Sequence, residues 1–323
     1  MKNLKWGILG PGTIAKDFAK ALNKVNGNVY AVGSRNLEKA NNFKDEFGVT
    51  KAFGNYDELL DDKDLDVIYV STPHSNHYEY IKKALLKGKH ILCEKAITVN
   101  SNELKEVKGI AKEKGLVLEE AMTIYHMPLY KELKDMLVKG ELGELKMINV
   151  TFGSCKEDDP SNRFFNKDLA GGALLDIGTY ALSFVRSFLS KNPCEILTTV
   201  KKYQTGVDEQ SGIILKNKND EMAVVTLTMR AKMPKRGIVA CTNGFITVDD
   251  FPRANKAIIT YLDGRVEEVI VGDSNKALEY EIAYMNDAIL NNKRENTLEL
   301  STDVMDIMDS LRESFGIKYP FER

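Results

Sequence analysis

Hydrophobic positions along the first 120 residues alternate between two periods. Apolar runs of strand length are followed by stretches with apolar residues three or four apart, the spacing of a helix that buries one face. Leu4, Trp6, Ile8 and Leu9 form the first run; Ile14, Phe18, Ala21, Leu22 and Val25 form the stripe after it. The same rhythm predicts a strand at 28–34, a helix from Leu37 to Phe47 ended by Gly48, an extended piece at 51–53 and a helix around 58–60. The unbroken apolar run from Val67 to Val70 is expected of a strand covered on both faces. A helix through Tyr78, Ile81, Ala84 and Leu85 follows, with a strand at 90–93 after it. A helix from Ser101, taken as its N-cap, runs to Lys114, and one more strand begins at 116. Strand and helix in turn mean a doubly wound parallel sheet with right-handed crossovers.

After about residue 121 the rhythm changes. A helix is expected at 129–139, a strand at 146–152, a polar stretch at 154–166, and a long apolar helix opened by Gly171 and Gly172 and reaching about residue 189. From 195 to 271 strand follows strand, with turn signals at Lys218-Asn219-Asp220, Thr242-Asn243-Gly244 and Asp263-Gly264-Arg265. Helices at 278–290 and 303–315 close the chain. The fold class is therefore α/β, with a doubly wound domain at 1–121 and an α+β domain built on a large, mostly antiparallel sheet at 122–323. Helices on one face of that sheet leave the other face in need of cover, so a homodimer or a higher homo-oligomer is expected.

Composition narrows the function. At 323 residues, the chain can build two sizeable cores. A net charge of -2 gives no electrostatic case for nucleic acid or an anionic membrane. No apolar run approaches membrane-spanning length. Cys93, Cys155, Cys194 and Cys241 are scattered and read as buried thiols in a reducing compartment, and the chain enters a strand almost at once. Together these lead us to expect a cytoplasmic protein. His74, His77, His90 and His126 lack zinc-ligand spacing, so no metal is expected.

The chemistry starts where the first strand meets the first helix. Gly10, Gly12 and Ala15 have the spacing G-x-G-x-x-A. Gly10 permits the tight turn, Gly12 clears the way for a pyrophosphate, and Ala15 lets the helix lie close on the strand. Backbone N–H groups from Gly12 through Thr13 and Ile14, with the positive end of the helix dipole, then face the phosphates. The second strand ends in Ser34-Arg35, where an NAD site carries an acid for the ribose 2′-hydroxyl. A hydroxyl and a guanidinium suit a 2′-phosphate instead, favouring NADP(H) over NAD(H). A surface role is the bland alternative for Arg35.

Thr72, Pro73 and His74, with Asn76 and His77, follow a strand's carboxyl end, where open parallel sheets bind ligands. Thr72 and Pro73 suit the nicotinamide ribose or ring; equally, this is a helix start capped by Ser75. Glu94-Lys95 follows the next strand at the same edge. Lys95 is either a cation for a substrate oxygen or a surface lysine. Asp176 and Tyr180 are four apart on the glycine-led helix, hence on one face. Tyr180 reads as a proton donor or acceptor, or as a structural tyrosine capping a carbonyl. A lysine cation at ~4 Å contributes up to about 4 kcal/mol at an effective dielectric near 20, enough to bring a phenol into working range.

Gly10 to Ala15 (Gly-Pro-Gly-Thr-Ile-Ala), Thr72-Pro73-His74, Glu94-Lys95 and Gly171 to Tyr180 (Gly-Gly-Ala-Leu-Leu-Asp-Ile-Gly-Thr-Tyr) together resemble the Gfo/Idh/MocA oxidoreductases over the whole chain. Within that family the chain is most similar to the branch of the dimeric dihydrodiol dehydrogenases and glucose–fructose oxidoreductases. The resemblance implies a Rossmann domain, then an α/β domain whose sheet makes dimer contacts. It implies hydride exchange between a nicotinamide and a carbon bearing a hydroxyl or carbonyl, on a sugar, polyol or related compound. Its catalytic group maps onto Lys95, Asp176 and Tyr180, with Gly10, Gly12, Thr13, Ile14, Ser34, Arg35, Thr72, Pro73, His77, Glu94 and Lys95 on the cofactor. The family's Glu-Lys-Pro is Glu94-Lys95-Ala96 here, so a rigid turn after the lysine is missing. Where the branch places Trp and Arg after Glu120-Ala121, this chain has Thr123 and Tyr125. The rival expectation is a regulator that binds NADP without catalysis.

Overall fold

The computed structural model describes residues 3–293 and 295–322. Among them, six strands form a parallel sheet: β1 (Trp6–Leu9), β2 (Val29–Gly33), β3 (Lys51–Phe53), β4 (Val67–Val70), β5 (His90–Glu94) and β6 (Leu118–Ala121). Their order is β3-β2-β1-β4-β5-β6, the order of a Rossmann domain. Between them run α1 (Thr13–Lys24), α2 (Leu37–Phe47), α3 (Tyr56–Leu60), α4 (His77–Leu86) and α5 (Ser101–Glu113). β1 and β4 are buried throughout, which is why they read as unbroken apolar runs. Phe18 of α1 is fully buried, tilted on Trp6 and stacked 3.8 Å from Tyr69. The helix caps are asparagines: Asn36, Asn55 and Asn100 each accept the N–H three residues on, a bond worth about 1 kcal/mol. Asn100 thus caps α5, and Ser101 is its first residue. No side-chain bond caps α4, so Ser75 is not its cap; residues 74–76 form a 3₁₀ turn ahead of it.

The second unit carries α6 (Thr123–His126), α7 (Pro128–Val138) and β7 (Leu145–Gly153). A π-helical turn (Leu174–Gly178) leads into α8 (Thr179–Phe188). Then come β8 (Pro193–Lys202), β9 (Asp208–Asn217), β10 (Met222–Thr228), β11 (Met233–Cys241), β12 (Gly244–Asp249), β13 (Lys256–Tyr261) and β14 (Val266–Ile270). Among the described residues these and β7 make one sheet, ordered β14-β13-β12-β11-β7-β10-β9-β8 and antiparallel except where β10 meets β7. Residues alternate between its faces. Ile148, Val150, Val225, Val239 and Ile246 are buried, and the fully buried Phe184 of α8 packs on that side so closely that a side chain at Gly237 would strike its ring. On the other face Leu197, Ile214, Val224, Asn149 and Ile238 stand in register across five strands, with Leu197 and Ile214 exposed.

The chain then goes back. Whereas sequence order puts one boundary near 121, Lys276–Glu299 belongs with the first unit, and the second comprises Thr123–Asn275 and Leu300–Arg323. The cause is the apolar face of α9 (Ala277–Leu290). Its Leu278, Ile282, Met285 and Ala288 join the core of Phe18, Leu22 and Tyr69. Lys24 pairs with Glu279 at 3.2 Å beside it. The closing helix, α10 (Thr297–Phe315), starts earlier than its apolar pattern does.

Candidate active site

In the first unit the turn at Gly10 has φ +93°, and its N–H donates to the Gly33 carbonyl at 3.1 Å. A side chain there would stand 3.0 Å from the Ser71 carbonyl oxygen. Gly12 is extended at the head of α1, and no side-chain bond caps that helix. A Cβ on Gly12 would meet nothing within 4 Å. Thr13 is exposed, Ile14 half-buried and Ala15 fully buried under the helix. The helix start therefore offers open space beside donors and a positive dipole end, which suits an anion. At the end of β4 the Thr72 hydroxyl is buried with no hydrogen-bond partner among the described residues. Buried hydroxyls rarely stay unpaired. Open ground at Gly12 and an orphan hydroxyl at the sheet's carboxyl edge fit a dinucleotide.

At the end of β2, Ser34 is buried; its N–H donates to the Phe53 carbonyl and its hydroxyl accepts the Asn36 N–H at 3.2 Å. Arg35 is exposed and lies beside the phenol of Tyr56, whose pKa is raised by burial and partly drawn back by that guanidinium.

Lys95 is half-buried, on the turn after β5. The Lys95–Ala96 peptide is cis. The turn is held without proline. His74 Nε2 lies 3.0 Å from the Lys95 carbonyl, His77 Nδ1 lies 2.9 Å from that of Ala96, and Glu120 accepts the Ile97 N–H at 2.9 Å. Side chains from other elements thus brace the turn at the place where the family has proline. His77 is fully buried, with its other ring nitrogen 2.8 Å from the Thr72 carbonyl. Burial pushes its pKa down. Its nitrogens thus tie the Thr72–Pro73 loop to the lysine turn and present none to a ligand. Pro73 is half-buried at the head of the 3₁₀ turn. Glu94 accepts a hydrogen bond from the buried Tyr69 phenol.

In the second unit Asp176 sits in the π turn, buried, and Tyr180 is half-buried in the first turn of α8. The turn that carries Asp176 is thus wider than the α turn assumed from the spacing, a kind of irregularity frequent at functional sites. Arg163 Nη1 lies 3.9 Å from Asp176 Oδ1 with its guanidinium 4.2 Å over the Phe164 ring. The Tyr180 ring is 6.5 Å from that of Phe152. Thr123 and Tyr125 are buried and donate to the Pro252 carbonyl and the Ser183 hydroxyl, so both are tied into the unit's interior.

A parallel sheet with this strand order, its glycine turn and its unpaired hydroxyl define a dinucleotide-binding protein. Residues 4–122 match the family domain described as "Oxidoreductase family, NAD-binding Rossmann fold", and residues 130–247 match the "GFO/IDH/MocA C-terminal domain". The chain belongs to the Gfo/Idh/MocA family and is an NAD(P)-dependent oxidoreductase. It is 33% identical to a trans-1,2-dihydrobenzene-1,2-diol dehydrogenase of Xenopus laevis, over 98% of this chain and 99% of that one. Among solved structures, it resembles a 3-ketoreductase from Actinomadura kijaniata in complex with NADP and TDP-benzene (TM-score 0.87, 24% identity, 97% and 98% of the two chains). It also resembles a levoglucosan dehydrogenase in complex with NADH and levoglucosan (TM-score 0.88, 20% identity, 99% and 100%). Among the described residues no helix is long and apolar enough to cross a membrane.

Proposed function

We propose that this chain exchanges hydride between NADP(H) and a carbon bearing a hydroxyl or carbonyl on a sugar, polyol or related small molecule. The first unit holds the dinucleotide and the second the substrate. The observation that carries this reading is the lysine turn: Lys95 follows β5 at the sheet's carboxyl edge, on a loop held by His74, His77 and Glu120. Gly10, Gly12, Thr13 and Ile14 face the pyrophosphate, Ser34 and Arg35 the 2′-phosphate, and Thr72 and Pro73 the nicotinamide end; Glu94 and the buried His77 shape that end from behind. A bound nicotinamide supplies or accepts the hydride. The rest falls to the chain's own groups. Tyr180 carries the proton, Lys95 supplies a cation for the substrate oxygen, and Asp176 grips a substrate hydroxyl. Help of this kind is worth ~10²–10⁴ in rate.

The reading is tested by following NADP+ reduction with sugars and polyols and NADPH consumption with diketones. Turnover supports it, whereas tight NADPH binding with no turnover on any of them points to a regulator. For the cofactor, Arg35→Ala is expected to raise KM for NADP about tenfold and leave that for NAD within about twofold, since a fork to a 2′-phosphate is lost. Equal effects on both would make Arg35 a surface residue.

The reading extends to a homo-oligomer in the cytoplasm. Its support is the apolar row Leu197, Ile214, Val224 and Ile238 on the open sheet face and the free thiols of all four cysteines. Light scattering is expected to give a dimer or larger for the wild type and a monomer for Ile214→Asp. A wild-type monomer refutes this.

A further inference from the structure

The π turn and α8 have no cap of their own: no side chain near Ala173 accepts a hydrogen bond from the helix start. The cap comes from elsewhere. Asp208, the first residue of β9 and 1% exposed, accepts the Leu174 N–H at 2.6 Å. Gly172 has φ +126°, a conformation few L side chains adopt, and any Cβ there would run into Asp208 Oδ1. The carboxylate is thus seated directly against the glycine pair. Gly171 is held from the other side. Its carbonyl accepts the hydroxyl of Tyr319 at 2.8 Å, and its N–H donates to the Asn166 carbonyl at 2.9 Å. Tyr319 is itself 1% exposed and braced. Its N–H donates to Glu322 at 2.7 Å, and Arg312 grips Glu322 through two nitrogens at 2.9 and 2.7 Å while lying over the Tyr319 ring.

A carboxyl in so dry a place is costly, and burial pushes its pKa up to about 6 against the pull of the backbone donors and Arg312. Apolar packing or a local serine would end a helix more cheaply. What Asp208 adds is a fixed external anchor two residues before Asp176, while Tyr319 adds a second anchor on the turn behind it.

We propose that Asp208 and Tyr319 are positioning residues, which set the placement of Asp176 and Tyr180 by pinning Gly171 and Leu174 from β9 and from the C-terminal segment. The inference rests on the reading of Tyr180 as the proton carrier. Small misplacements of reacting groups cost up to ~10²-fold in rate.

The test uses the full chain with NADP+ for D-glucose and D-xylose and NADPH for 2,3-butanedione, taking whichever the wild type turns over fastest. Asp208→Ala is expected to lower kcat about 10- to 100-fold, with NADPH Kd unchanged within about twofold, because the Rossmann unit is untouched. Asp208→Asn keeps an oxygen for the Leu174 N–H and is expected to recover most of that rate. Tyr319→Phe is expected to lower kcat about fivefold or more, and the Asp208→Ala/Tyr319→Phe pair is expected to lose less than the product of the single losses, as groups holding one turn do. If Asp208→Ala does not fold, Tyr319→Phe decides alone. Wild-type kcat in these variants with only a lowered melting point overturns the inference, as does a loss shared equally by NADPH affinity. Tyr180→Phe, run alongside, separates the two levels. If it is inactive while Asp208→Ala and Tyr319→Phe are fully active, positioning alone falls; if it is fully active, the proton-carrier reading falls and takes positioning with it.

Discussion

Tyr180→Phe is expected to bind NADPH like the wild type and to turn over its substrate about 10²–10⁴-fold more slowly. Removing one hydroxyl leaves the ring to pack 6.5 Å from Phe152 as before. What is lost is the proton path, equivalent to about 3–5 kcal/mol of transition-state stabilisation. The signature is a fall in kcat with the NADPH dissociation constant and melting point held. A variant that keeps wild-type turnover on the true substrate removes Tyr180 from the chemistry.

Gly12→Val is expected to do the reverse. The backbone at Gly12 is extended, with φ -85° and ψ -173°, a conformation valine adopts freely, and a Cβ there touches nothing within 4 Å. The free protein should therefore melt where the wild type does. The same side chain fills the approach to the helix start, and NADPH affinity should fall at least 100-fold, about 2.7 kcal/mol. Fluorescence titration beside a thermal melt reads both at once. Unchanged affinity would mean that the pyrophosphate lies elsewhere, and a lowered melting point would mean that Gly12 is there for packing.

Much of the fold is legible in the sequence because one-dimensional periods carry it. β4 reads as an unbroken apolar run since helices cover both its faces, and the turns at Asp220, Gly244 and Gly264 have positive φ where the Asn, Asp and Gly clusters stand. The opening glycines are legible because each solves a local steric problem. Contacts made across long stretches of chain are not. Nothing near Leu174 announces that its N–H goes to Asp208, 34 residues on, or that the Gly171 carbonyl meets Tyr319, 148 residues on. The carbonyls claimed by His74 and His77 are equally invisible, as is the guanidinium of Arg163 beside Asp176. The π turn escapes as well, because its sequence keeps helical apolar spacing while the backbone takes up an extra residue.

The return of α9 bears on how this chain is made. A ribosome releases β1 to β6 long before residues 277–290 exist, and until they emerge the side of the opening core that receives Leu278, Ile282, Met285 and Ala288 stays bare to water. Burying four such side chains stabilises by several kcal/mol, at roughly 1.5–3 kcal/mol for each large one. A nascent chain stalled after Met122 should accordingly be sticky and protease-sensitive, an early client for chaperones.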